Sequence, residues 1–342
     1  MDKNIKERNN FEINIGDADC KFNADEVSCV DQPIAVYAKM YNELYYDIYC
    51  FYTIFRCNWE YYIEGNFVEI RNKILKNLGL ELECVYIHDR YKLCDEIKKK
   101  LDENIPVLIY LRRKTLVYDE GYDDDEFDSL HGILVTGYNK NRPILCIRDS
   151  AHVENSGIHY YGSGYGMFKL WIRENLVEEM WMRSAEIGRH AEFSDKIYIM
   201  KEKSKVKYTY EDMLLDILNN GTFNHNRFCD WIMKSDILDL KDDEVCRAKR
   251  RVYILPMKAF FSILKQICEI KRYDIEYMMN CEKVYMNILQ KTFGKLCVAA
   301  RKNEKITIEM KKKFCSEIVE MDRKIEKICF ELVAEKGECY ER

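Results

Sequence analysis

Proline and glycine are spread unevenly along this chain, and that asymmetry limits its architecture more than any other feature. Pro33, Pro106 and Pro143 precede residue 204; beyond it Pro256 is the only proline, and glycines thin out. Short apolar runs separated by turn residues imply mixed α and β structure over residues 1–203. The long amphipathic stretches Met257 to Ile270, Ile275 to Ala300 and Ile308 to Val333 imply helices. We therefore expect a mixed domain over 1–203 and an all-helical domain over 204–342, with the boundary near 201–207. The length of 342 residues suits two domains of about 150 residues each. An apolar fraction of 47% is enough to fill a core.

The net charge of −5 argues against a general nucleic-acid binder, which carries a basic balance. No apolar run of 18 residues exists, so no transmembrane helix is expected. Met1 to Asn10 is polar and lacks the apolar segment of a secretory signal, so the expected location is cytoplasmic. The 15 cysteines have irregular spacings without a C-x-x-C pair, which argues against a zinc site. In a reducing compartment most of them read as small buried hydrophobes.

Within the first part, a helical pattern runs from about Cys29 to Cys57. Tyr37, Tyr41, Tyr45, Ile48, Tyr52 and Phe55 recur along it at helical spacing, which reads as core. Further helices are expected near 67–78, ended by Gly79, and over 92–104 and 168–182. Strands are expected at 82–88, 132–138, 144–148 and 196–200, with an apolar run at 107–111. Asp119 to Asp128 reads as a solvated acidic loop or a lid. Gly157 to Gly166 reads as a loop, in which Tyr160, Tyr161 and Tyr165 could line a pocket.

Three residues stand at informative places. If strands 132–138 and 144–148 form a hairpin closed around Lys140, His131 and Asp149 lie directly opposite each other on one face. Cross-strand neighbours have Cβ atoms about 5 Å apart, so a carboxylate there can fix the imidazole tautomer and steady its charge. A one-residue slip of register would break this pairing. The plainer reading is a surface histidine and an ordinary strand-end aspartate. Ser28 reads as an N-cap, with Asp31 three residues later as an acidic capping box. Cys29 would then open the helix, where the dipole and unpaired N–H groups lower a thiol's pKa. The plainer reading is one more buried thiol. Cys20 is the rival nucleophile, but it lies in polar sequence before any helix.

The segments Ser28-Cys29-Val30-Asp31-Gln32-Pro33-Ile34-Ala35 and His131-Gly132-Ile133-Leu134-Val135-Thr136-Gly137-Tyr138, followed by Asp149, resemble papain-like enzymes of the bacteriocin-leader peptidase type. The closer likeness is to the butirosin-biosynthesis acyltransferase family. It covers about residues 20–200 well and the C-terminal part in outline. The resemblance implies an α+β papain-like cysteine peptidase fold joined to a C-terminal all-helical domain. It implies transfer of an acyl group from a carrier-protein thioester, through an enzyme cysteine, to an amine. Cys29, His131 and Asp149 would be the catalytic residues. The leader peptidases place an oxyanion-hole glutamine six residues before the cysteine; here that position is Asn23, whose shorter amide can also donate, or which is simply a loop residue. Val30-Asp31 replaces their Gly and small apolar residue, which suggests a different substrate entrance.

No metal and no cofactor of its own is implied; the substrate would ride on the phosphopantetheine of an acyl- or peptidyl-carrier protein. Neither nucleic acid nor membrane is expected as a partner. Arg247 to Arg251 reads as a solvated helix face or a dock for an acidic carrier. His88, His152, His159, His190 and His225 lack a partner pattern. Two other classes stay open: a cysteine peptidase or amidase with water as acceptor, and a catalytically idle binding module of the same fold.

Overall fold

The computed structural model describes residues 9–15, 22, 26–54, 67–119, 122–125, 129–150, 167–186, 195–220 and 226–334. The chain divides into two units, Met1–Lys207 and Tyr208–Arg342.

The first unit is α+β, built on one seven-stranded antiparallel sheet. Its strands are β1 (Asn10–Glu12), β2 (Leu80–Tyr86), β3 (Val107–Arg112), β4 (Leu130–Asn139), β5 (Ile144–Asp149), β6 (Phe168–Arg173) and β7 (Lys196–Glu202). They run in the order β2-β7-β3-β4-β5-β6. β3 pairs with the first half of β4, and β1 takes over beside Gly137 to Asn139. Gly137 is required there, because a Cβ would stand 2.3 Å from the carbonyl of Phe11.

The pattern over Cys29–Cys57 is broken where a single helix was expected. The helices are α1 (Gln32–Lys39) and α2 (Leu44–Tyr52), with positions 55–57 outside the described residues. Asn42 causes the break: its side chain accepts the Leu44 N–H and its carbonyl accepts the Tyr45 N–H, starting a new helix. Of the expected core stripe, Tyr37, Tyr45, Ile48 and Tyr52 are buried, Tyr41 is exposed and Phe55 lies outside the described residues; the tyrosine hydroxyls find acceptors. Tyr37, Tyr41 and Tyr45 donate to the carbonyls of Pro106, Met200 and Val206. Tyr49 donates to Asp31 at 3.0 Å.

The expected helix over 168–182 is also corrected. Phe168–Arg173 is β6, and the helix, α5, covers only Glu174–Glu186. Phe168, Leu170 and Ile172 alternate with Lys169, Trp171 and Arg173, a period of two that an adjoining helical pattern obscures. α3 (Phe67–Asn77) and α4 (Leu93–Asp102) complete the first unit's longer helices.

In the second unit every element among the described residues is helical, including α6 (Tyr210–Asn219), α7 (Arg227–Lys234), α8 (Asp243–Tyr253), α9 (Pro256–Lys271), α10 (Ile275–Arg301) and α11 (Ile308–Ala334). A buried polar knot ties three of them. Asn226, the N-cap of α7, and Tyr285 of α10 donate to the two carboxylate oxygens of Asp322 on α11 at 2.8 and 2.7 Å. Among the described residues no helix is long and apolar enough to cross a membrane.

Two stability tests follow from buried charge. Arg71 of α3 and Asp31 are 0% and 2% exposed, and the guanidinium donates to both carboxylate oxygens at 3.0 and 3.2 Å. Arg71→Met strands that carboxylate and should cost about 3–5 kcal/mol in urea unfolding; a loss under about 1 kcal/mol would mean water solvates Asp31 as well as the guanidinium does. For Asp322, burial pushes the carboxyl up to about 6, against the pull of the Tyr285 and Asn226 hydrogen bonds. The folded state therefore favours the protonated acid. The second unit should gain stability as pH falls from 7 through 6 toward the unfolded acid's pKa near 4, on the order of 3 kcal/mol. Thermal melts of wild type and Asp322→Ala across that range check it: the gain should vanish in the variant.

Candidate active site

The nucleophile candidate sits in a tight turn. Ser28 caps it: its Oγ accepts the Val30 N–H at 3.1 Å, and its carbonyl accepts the N–H groups of Asp31 and Gln32 at 2.9 Å. The helix then begins at Gln32, with Pro33 in its first turn. This corrects the expected start at Cys29. The expected capping box does not form, because the Asp31 carboxylate turns away to Arg71 and Tyr49. Cys29 is thus held in a turn whose two ends are fixed, by Ser28 on one side and a buried ion pair on the other.

Strand β4 brings the turn its histidine. Gly132 lets the two segments meet: a Cβ there would stand 3.2 to 3.4 Å from the Tyr110 ring, the Pro33 ring and the Cys29 carbonyl. A side chain there would require these neighbours to shift by a few tenths of an ångström. The thiol points back to β4, donating to the Leu130 carbonyl at 3.8 Å.

His131 and Asp149 are each 1% exposed, and Asp149 Oδ1 lies 2.5 Å from His131 Nε2. The register that joins them differs from direct opposition. The hairpin turns between Asn141 and Arg142, pairing Tyr138 with Leu145 and Gly137 with Cys146. A β-bulge at Thr136 then resets the ladder, so that Val135 pairs Ile147 and Ile133 pairs Asp149. Asp149 is therefore the diagonal neighbour of His131. It is on the same face, since 131 and 133 share a face, and diagonal neighbours lie within side-chain reach.

Burial is the largest influence on His131 and works against its charge. The charges of Asp149 and Cys29, followed by their hydrogen bonds, outweigh it and hold the imidazole's pKa well above the usual value. With Nε2 taken by Asp149, Nδ1 is the nitrogen left for the thiol. It makes no hydrogen bond of good geometry, so the sulfur contact is a loose one in the resting protein. A neutral ring can accept the Cys29 proton at Nδ1 while Nε2–H stays on Asp149; the product is a thiolate beside an imidazolium.

Tyr118 belongs to the site and was not singled out from the sequence. Its hydroxyl donates to Asp149 Oδ2 at 2.7 Å. Its ring meets Phe168 edge-on at 6.0 Å. The neighbouring acidic stretch is exposed at 122–125, as a solvated loop would be, and it carries ion pairs. Asp119 pairs with Arg113 at 3.2 Å, Asp123 with Arg183 at 2.7 Å, and Asp125 with Lys114 at 2.5 Å.

Asn23, Cys20, Tyr160, Tyr161, Tyr165, His152, His159, His190 and His225 lie outside the described residues. His88 is exposed in the turn after β2. Among the described residues no group of three or more His, Cys, Asp and Glu could hold a metal ion. The structure brings together Cys29, His131 and Asp149. No family model matches this chain, and no curated protein matches it.

Proposed function

We propose that the first unit is a papain-like cysteine acyltransferase, with Cys29 as nucleophile, His131 as its base and acid, and Asp149 as the group that orients His131. The observation that carries this reading is the close line Cys29–His131–Asp149, in which the buried Asp149 carboxylate, and the Cys29 sulfur once ionised, favour a charged imidazole at a turn whose cysteine stays partly exposed. The resemblance to the butirosin-biosynthesis acyltransferases supplies the substrate class. Within thiotemplated antibiotic biosynthesis, the amide-forming step of closthioamide assembly is the nearest chemical counterpart. The second unit is, on the same likeness, that family's C-terminal helical domain. No cofactor is needed beyond the phosphopantetheine that carries the substrate, and the location that fits such chemistry is the cytoplasm.

The cycle has two halves. Cys29 gives its proton to His131 Nδ1 and attacks the carbonyl of an acyl group held as a thioester on a carrier protein. On the resemblance, the tetrahedral oxyanion would be held by the Cys29 N–H, with Asn23 the candidate second donor. The C–S bond to the carrier breaks, and the carrier thiol leaves with the proton from His131. An amine then attacks the Cys29 thioester, His131 takes the amine's proton, and the Cys29–carbonyl bond breaks to release the amide. Because both leaving groups are thiols, His131 never has to protonate a poor amine leaving group. Asp149 balances the imidazolium in each half.

The test is to mix the enzyme with an acyl-loaded carrier or a small acyl thioester, omit the amine, and record the intact mass. The expected result is an adduct equal to the acyl group, absent in Cys29→Ala and cleared as amide when amine is added. Amide formed at full rate by Cys29→Ala would end the proposal. Rapid peptide hydrolysis with no use of thioesters would replace it with a peptidase.

Asp149→Asn keeps the shape but removes the charge that balances the imidazolium. The equivalent change in a serine protease costs about 10⁴-fold in turnover. Here the cost should be smaller, about 10²- to 10³-fold, because a thiol–imidazole pair can ionise without help. Steady-state kinetics on a thioester donor measures it, and an unchanged rate would remove Asp149 from the mechanism.

A further inference from the structure

We propose that Tyr118 is a positioning residue for Cys29 chemistry: it holds the Asp149 carboxylate so that Oδ1 remains on His131 Nε2. The inference rests on the reading of Cys29, His131 and Asp149 as a working triad, and extends it to a fourth residue.

Asp149 is the last residue of β5, its backbone paired with Ile133 on one side and Phe168 on the other. A carboxylate held at one oxygen can swing about its two side-chain torsions. Here both oxygens are held, Oδ1 by His131 at 2.5 Å and Oδ2 by Tyr118 at 2.7 Å. Two partners from different segments fix the carboxylate plane. The donor is permanent: the phenol is driven well above its usual pKa by burial, then by the Asp149 charge and hydrogen bond and the charge of Asp119. Tyr118 therefore stays protonated at any working pH and can only donate.

Tyr118 is itself held. It lies in a strap, 113–119, that crosses from β3. Ser184 of α5 accepts the Arg112 N–H at 3.0 Å and meets the Thr115 hydroxyl at 2.8 Å. The strap closes on itself, with the Leu116 N–H on the Arg113 carbonyl, the Asp119 N–H on the Leu116 carbonyl, and Arg113 Nε on both Asp119 oxygens. The Tyr118 ring rests against Phe168, the cross-strand partner of Asp149. The strap thus sets the tyrosine against the same pair of strands that carries the aspartate.

The groups that act on His131 are Cys29 from the turn before α1 and Asp149 from β5; behind Asp149 stand Tyr118 and Asp119 of the strap, with Arg113 paired to Asp119. Without the phenol donor, Asp149 would be free to turn away from His131 Nε2. It would then stabilise the imidazolium less and aim it less well at Cys29. The thiolate would be less favoured, and its acid limb would move to higher pH.

Alkylation of Cys29 by iodoacetamide reads the thiolate without any substrate, so it separates this proposal from the question of acyl transfer. Rates are followed on the Cys29 peptide by mass spectrometry from pH 5 to 9, in wild type and Tyr118→Phe, with the thermal midpoint of each recorded. Wild type should keep most of its rate down to about pH 6, where an ordinary thiol of pKa about 8.5 has lost it. In Tyr118→Phe the rate at pH 6, relative to that at pH 8.5, should fall at least about threefold further, the equivalent of half a pKa unit. A purely structural tyrosine would lower the midpoint and leave the profile unmoved. Superimposable profiles overturn the proposal while leaving the triad. A wild-type Cys29 that titrates like an ordinary thiol overturns both. If Tyr118→Phe does not fold, Tyr118→3-fluorotyrosine, a stronger donor of the same shape, should move the limb to lower pH, and an unmoved limb overturns the proposal.

Discussion

The β-bulge at Thr136 decides what this sheet can do. A strand places alternate side chains on opposite faces, so any residue of β5 shares a face with His131 only if the register has the right parity. At the turn end of the hairpin the ladder pairs Tyr138 with Leu145 and Gly137 with Cys146. Continued without interruption, that ladder would set Asp149 opposite Leu134, on the face away from His131. The extra residue at Thr136 shifts the pairing by one and sets Asp149 opposite Ile133 instead. Gly137, next to the bulge, also lets β1 lie across the strand at a distance no side chain would permit. A single irregularity in the central strand therefore joins the carboxylate to the imidazole and makes room for the sheet's first strand.

Burying that pair has a cost that the surroundings must offset. A carboxylate and an imidazole, each 1% exposed, lose most of their hydration. The desolvation is answered by hydrogen bonds at both Asp149 oxygens and by the Asp149 charge on His131, joined by Cys29 when its sulfur is ionised. The same groups that make burial tolerable also bias the imidazole toward its charged form, so stability and reactivity draw on one set of contacts. The Asp31–Arg71 pair plays the corresponding part for the cysteine. Being fully buried and doubly hydrogen-bonded, it fixes the residue two positions after Cys29 to a different helix.

Much of this was legible in the sequence, and the failures have identifiable causes. His131, Asp149 and Cys29 stood out because each lies at the end of a run with clear periodicity. The hairpin register was wrong by two residues, since the turn is centred beyond Asn141 and the bulge leaves no compositional mark beyond Thr136-Gly137. The contact survived because a shift of two keeps the face. A slip of one would have lost it. Tyr118 was missed because a strap has no period: its value comes from Ser184 and Phe168, far away in sequence. Asp31 was read as a local cap because a capping box is a short-range pattern, whereas its actual partner, Arg71, is 40 positions away. Phe168 to Arg173 was read as helix because its alternation runs without a break into a true helix.

The corrected helix start changes what would activate Cys29 on the proposed reading. A thiol at the first position of a helix would feel the free N–H groups and the positive end of the dipole. Here Cys29 precedes α1 by three residues, and the N–H groups of Asp31 and Gln32 are already satisfied by the Ser28 carbonyl. α1 has only eight residues, and the dipole's influence is confined to its first turn. The helix can therefore supply only part of any activation, and the charged imidazole must supply the rest. That places the burden on whatever keeps His131 charged and aimed, namely Asp149 and the tyrosine behind it. In such an arrangement the helix serves mainly as a scaffold: its Pro33 packs on Gly132, and its lead-in turn is pinned through Asp31. On the proposed reading, the reactivity of Cys29 would be set from the sheet side of the site, through β4, β5 and the strap, more than from the helix that follows it.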